Sequence, residues 1–139
     1  MASLIYNSEV FDAATGEINF DADTFYCLLV TSSYAPNKDT DSKRSDVTNE
    51  VIGAGYTADG KPITAIVLND TANDKTTITF SAVSWATATI TAAAAVIYKH
   101  RGGAANLDNL VAYVDFGGNV SSTSGTFTFT PSTPLTYQN

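Results

Sequence analysis

Short apolar runs alternate with polar, turn-forming stretches along the whole chain. The longest apolar run, Thr87 to Tyr98, is rich in alanine and β-branched residues and carries no charge. A connection follows, Lys99-His100-Arg101-Gly102-Gly103, and then a second run from Leu107 to Gly117. Two such runs across a charged, glycine-bearing connection predict a strand–loop–strand unit. The first has small or apolar residues on both faces, which predicts a strand covered on both sides at the centre of a sheet.

The same reading places the other elements. Phe25 to Thr31 is nearly continuous in apolar residues and predicts a core strand. Glu17 to Asp21 alternates, predicting a short strand with Ile18 and Phe20 inward. Leu4 to Ala14 fits either a short helix or a first strand, closed by Gly16. Strands are predicted at Ile63–Leu68, at Lys75–Phe80 and from Ala82 into Trp85. Gly117-Gly118-Asn119 reads as a turn. Thr126 to Thr130 is the cleanest alternation, with Phe127 and Phe129 inward. Pro131 and Pro134 interrupt pairing, and Leu135 to Tyr137 reads as a last edge strand. Long loops cover 32–46 and 53–62, with Val47–Ile52 open between a strand and a helical turn. Eight to ten strands at this spacing predict an all-β protein. The expected form is one antiparallel β-sandwich over residues 1–139, jelly-roll-like, with long loops and a short helix near the N-terminus.

Composition sharpens this picture. Charged residues make up 15% of the 139, against roughly 25% in ordinary domains. Threonine, serine, asparagine and alanine fill the difference, and threonine favours a pleated, half-buried surface. The net charge is −7 with only seven basic residues, which argues against nucleic acid as a partner. No apolar run approaches the ~20 residues of a membrane helix, and no leader pattern is visible, so synthesis and folding in a cytoplasm are expected. Cys27, the single cysteine, lies between apolar neighbours and is expected to be a buried small hydrophobe.

Candidate chemistry is sparse. Asp39, Asp41 and Asp46, with Glu50 beyond, open like a calcium loop, but Lys43 and Arg44 stand where an oxygen ligand and a glycine are needed. His100, the only histidine, sits between Lys99 and Arg101 and is expected in an exposed loop. There is no Gly-x-Ser-x-Gly elbow for it to serve. Asp21, Asp23, Asp70, Asp74, Asp108 and Asp115 occupy predicted turns or strand ends, where aspartate is a local turn former. Gly53-Ala54-Gly55 lacks the rest of a dinucleotide fingerprint. Tyr34, Tyr56 and Trp85 are the candidates for a sugar-binding aromatic cluster, with Trp85 expected to cover one end of the core. No catalytic, cofactor-binding or metal-ligating set is assigned, and no enzymatic activity is expected.

Several blocks together resemble a family of small structural proteins from tailed-bacteriophage virions. They are Phe20–Phe25, Leu29–Thr40, Asp46–Val51, Gly53–Gly60 and Val111–Gly117, spread over most of the chain. The resemblance implies a virion component without enzymatic activity or cofactor. The favoured station is that of a head decoration, or cement, protein on the outside of the capsid. The implied partner is the major capsid protein, with a homotrimer expected and the loops at 38–46, 53–62 and 99–106 as contact elements. A tail, neck or fibre component of the same particle, and a carbohydrate-binding sandwich, are the competing readings.

Overall fold

A computed structural model describes residues 2–132 and 134–138. The described residues are mostly strand, arranged in two antiparallel sheets with one α-helix near the N-terminus, an all-β sandwich. In order, the elements are β1 (Leu4–Ile5), α1 (Asn7–Thr15), β2 (Phe25–Val30), β3 (Lys61–Ile63), β4 (Ala65–Asp70), β5 (Lys75–Phe80), β6 (Val83–Lys99), β7 (Leu110–Phe129) and β8 (Leu135–Gln138). The larger sheet has the order β1-β7-β6-β2-β3, and the smaller one β4-β5-β8. The predicted strand–loop–strand unit is β6–β7, and β6 is the central strand of its sheet.

From Ala92 to Tyr98, β6 is buried on both faces. Ala95 and Ile97 enter one apolar cluster with Phe25, Cys27 and Leu29 of β2. Ala94, Val96 and Tyr98 enter a second cluster with Leu28 and Val30, closed by Tyr6, Tyr34 and Tyr113. β2 pairs with this half of β6 along its whole length, Phe25 opposite Lys99 and Val30 opposite Ala94. The larger side chains of β2 and of the covering tyrosines fill the space beside the four consecutive alanines.

The other half of β6 folds back over the first. Ten residues of straight strand would separate Trp85 from Ala95 by roughly 33 Å. Yet the Tyr56 ring lies 5.5 Å from that of Trp85, while its hydroxyl accepts a hydrogen bond from the Leu29 amide at 3.0 Å, and Leu29 is the pairing partner of Ala95. One tyrosine cannot bridge a straight strand, so the β6–β7 ribbon is curled. Register shifts between Trp85 and Ala88 and between Ala92 and Ala94 permit it. Each shift also resets the alternation. Val83 and Trp85, then Ala88, Ile90 and Ala92, then Ala95 and Ile97 therefore all reach the same core.

Several boundaries differ from the sequence reading, each for a local reason. Leu4–Ala14 is both alternatives in series. Leu4 and Ile5 pair with Tyr113 and Ala112, and a helix follows that ends at Gly16 in the left-handed region. Glu17–Asp21 is turn rather than strand because its backbone bonds to side chains: Asn19 N–H to Asp23 Oδ2 and Asp21 N–H to Asn19 Oδ1. Ile18 and Phe20 are nonetheless buried. Val47–Ile52 is neither strand nor helix, touching β2 by a single bridge between Glu50 and Val30. Ile63–Leu68 is divided at Thr64 between the two sheets. Gly117-Gly118-Asn119 does not turn the chain. β7 runs through it, Gly117 and Gly118 taking positive φ where the ladder with β6 shifts register.

Helix α1 has an inverted face. Glu9 and Asp12 are buried, while Asn7, Val10, Phe11 and Ala14, at the i, i+3, i+4, i+7 positions of one stripe, face solvent.

Candidate functional site

Three loops predicted as separate contact elements form one body around Arg44. Its Nε donates to Asp108 Oδ2 at 2.8 Å and its Nη1 to Asp59 Oδ1 at 2.6 Å. Its guanidinium lies 5.3 Å from the centre of the Tyr98 ring. Asp108 is fully buried and also accepts from the Arg101 amide at 2.9 Å. Main-chain bonds run alongside, from Arg44 N–H to Asp108 C=O at 2.9 Å and from Leu110 N–H to Ser42 C=O at 3.0 Å. Burial works against the Arg44 charge, but Asp108, Tyr98 and Asp59 outweigh it and hold the guanidinium protonated. The residues 38–46, 53–62 and 99–109 are thereby one platform.

Further ties secure its rim. Arg101 Nη2 donates to Glu17 Oε2 at 3.0 Å, and Lys99 Nζ reaches Asp23 Oδ2 at 2.9 Å. Burial opposes the Asp23 charge, yet the Asn19 amide and Lys99 hold that carboxyl below its ordinary range. Asn109 Nδ2 donates to Asp12 Oδ2 at 2.8 Å, which fastens α1 to the same body. Glu50 Oε2 accepts from the Tyr56 hydroxyl at 2.6 Å and the Asp59 amide at 2.7 Å. Burial pushes the Glu50 carboxyl up, and those two donors ease it. Gly60 makes the last loop fit. Its φ is +86°, and a Cβ there would stand 1.9 Å from the Cys27 carbonyl oxygen of β2.

The acidic set is not brought together as a cage. Asp39 accepts from Asn7. Asp41 Oδ2 accepts from the Tyr34 hydroxyl at 2.9 Å and from the Asn37 amide at 3.0 Å. Asp46 Oδ2 accepts from the Ser42 and Lys43 amides, both at 2.9 Å. Asp41 and Asp46 fold their own turns while Asp39 ties its loop to α1, and among the described residues there is no cluster of three or more metal-ligating side chains. His100 is half-buried rather than exposed. It stacks on Tyr26 with ring centres 3.8 Å apart, and its buried Nδ1 has no hydrogen-bond partner among the described residues. Trp85 and Tyr34 are buried and Tyr56 is half-buried with its hydroxyl tied down, so this trio offers no open aromatic shelf to a sugar. Cys27 is buried, and burial pushes its thiol up.

Two surfaces escaped the sequence reading. One is the outward stripe of α1, whose helical spacing was legible but whose direction was not. The other is β4, where Ile66, Val67 and Leu68 are 56%, 40% and 60% exposed. A groove of about 690 Å³ also opens between β7 and the start of β8, lined by Phe116, Phe127, Phe129 and Leu135 among others. Compared with known proteins, the chain matches no family model, no curated sequence and no solved structure.

Proposed function

We propose that this chain is a non-enzymatic structural component of a tailed-bacteriophage virion, a decoration protein that binds the outside of the head lattice and stabilises it. The observation that carries the reading is the outward stripe of α1. A buried polar face, fixed by Asn109 and Tyr137, holds Val10 and Phe11 out in solvent. A helix held in that attitude is organised for contact. The platform beside it supplies what a lattice binder requires, loops whose shape is set before binding. Four of the seven basic side chains, Arg44, Lys61, Lys99 and Arg101, are engaged in bonds within the chain, leaving an outward charge dominated by carboxylates. That charge suits a basic patch on the major capsid protein. The virion assignment itself rests on the sequence blocks described above, which include 38–40, Asp46 and 53–60 of the platform loops. Association as a homotrimer around a lattice axis belongs to the same proposal.

The test is the distribution of labelled protein on intact particles. A coat over the whole head, in lattice copy number, supports decoration. Signal confined to one vertex or the tail transfers the chain to a neck, tail or fibre station. No particle signal, with hits on a glycan array, would replace the reading by sugar binding.

A further inference from the structure

The three-stranded sheet ends on β4, and its six pairs with β5, from Ala65 opposite Phe80 to Asp70 opposite Lys75, run without a register shift. Natural edges of this kind are guarded by lysine, proline or a bulge. Here no lysine, proline or glycine lies between Ala65 and Asp70, and among the described residues no strand pairs with the outer side of β4. Ile66 and Leu68 project from one face and Val67 from the other, all three substantially exposed.

We infer that β4 is a two-fold self-association site, pairing antiparallel with β4 of a second copy about Val67. The pattern and the charge choose this occupant. In that register, Val67 meets its own counterpart, and Ile66 meets Leu68 on each side of the axis. Slipping by one residue would set Ile66 against Asn69 and break the match. On an acidic chain of net charge −7, Thr64 to Asn69 is an uncharged stretch. Asp70, at its end, lies opposite Lys75 of the same copy. Two copies can therefore meet along this line without bringing their carboxylates together, and a basic partner finds nothing on it to attract it. The product is a continuous six-stranded sheet, β8-β5-β4-β4-β5-β8, three strands from each copy. Five paired residues from each copy bury less than a standard interface, so the contact is weak and reversible, with a dissociation constant on the order of micromolar or weaker. A two-fold contact cannot close a ring of three, so it is separate from the trimer proposed above and stands without the virion reading.

Sedimentation equilibrium of the full chain and disulfide trapping together test it. The mass of the wild-type protein should rise with loading concentration, and Leu68→Lys, a guard charge on an exposed side chain, should weaken association by roughly tenfold or more. Val67→Cys places two thiols on the axis, where Cα separations of about 4.5–5.5 Å suit a disulfide. With copper phenanthroline as oxidant, the two thiols give up two protons and two electrons to form one S–S bond. Cross-linked dimer should form in Val67→Cys and not in Thr79→Cys, whose residue lies one strand in from the edge. Cys27 is buried and does not compete. Equal association of Leu68→Lys and wild type, a wild-type mass constant with concentration, or equal trapping at 67 and 79 would each overturn the inference.

Discussion

The platform around Arg44 and the sheet β4-β5-β8 depart from the usual partition of side chains in opposite directions. At the platform, charged groups are inside: Asp108 is fully buried and Arg44 is mostly buried. At the small sheet, apolar groups are outside: Ile66, Val67 and Leu68 stand in solvent on an unpaired edge. The first arrangement costs desolvation and gains fixed geometry, because each buried charge has a partner at a set distance. The second gives up apolar burial within one copy and keeps it for contact with another molecule. Shape is therefore set at one region and adhesion is held in reserve at the other.

The contrast breaks most visibly at Asp108. Asp108→Ala leaves the mostly buried Arg44 without its Nε acceptor and the Arg101 amide without a partner. Removing one member of such a pair costs about 3–5 kcal/mol. Truncating an exposed side chain such as Leu68 to alanine should change stability by only about 0.5 kcal/mol or less. Urea unfolding of the two variants beside wild type measures both. Similar midpoints would mean that the platform is ornamental, contrary to the geometry described.

Next in size is Gly60→Ala. A left-handed conformation at a residue with a Cβ costs about 1–3 kcal/mol, and the added methyl collides with the Cys27 carbonyl of β2. The loop at 53–60 must lift, carrying Asp59 away from Arg44. The expected result is a lower urea midpoint together with faster amide exchange at Leu29, whose N–H bonds to Tyr56 of that loop. Unchanged exchange at Leu29 would show that the loop is not pinned there.

Glu9, on the helix that Asn109 fastens to the platform, tests a buried carboxyl through pH. Its Oε1 accepts from Tyr137, while Oε2 is buried with no hydrogen-bond partner among the described residues. Burial raises this carboxyl above its ordinary value of 4.5; Tyr137 eases the shift and Asp12 adds to it. The folded state therefore holds the proton more tightly than the unfolded state does. This contribution to stability is fully present below the unfolded value and is lost as pH rises through the raised folded one. Glu9→Gln carries no such proton, so the variant should match wild type in acid and exceed it at about pH 8. Urea midpoints across that range check the sign. A wild-type advantage at the alkaline end would mean that Glu9 is ionised in the fold and has a cationic partner.

The strands were legible because their cause is local. Phe25–Val30, Lys75–Phe80, β6 and the Phe127–Phe129 alternation carry their burial pattern in the sequence itself. The curl of β6–β7 was not, since it depends on bulges opposite Gly117-Gly118, and a glycine pair reads as a turn until a partner strand is known to continue past it. The platform loops were recognised as separate contact elements, but their joining was hidden. Arg44 and Asp108 are 64 positions apart, and neither neighbourhood names the other. Reversing the charge of Arg44 to probe binding would dismantle the fold there, because Asp108 and Asp59 hold it. The direction of α1 was also illegible, because spacing gives a stripe its width, and only the packing of Glu9 and Asp12 shows which way it faces.

That direction sets the smallest expected change in stability. Val10→Ser with Phe11→Ser alters side chains that are 56% and 67% exposed, so the folding free energy should move by about 0.5 kcal/mol or less per site. On the particle the same pair should matter more. Burying a phenylalanine against a partner contributes about 1.5–3 kcal/mol, which corresponds to roughly a tenfold or larger loss of affinity when it is removed. Co-sedimentation of the double variant with undecorated heads, beside Leu68→Lys, separates the two adhesive surfaces. If α1 meets the capsid and β4 meets another copy, the serine variant loses initial binding, and the lysine variant binds but fills the lattice less cooperatively. If the serine variant binds as wild type does, the stripe is not the contact, and the reading of α1 as the docking face is wrong although its inverted packing stands.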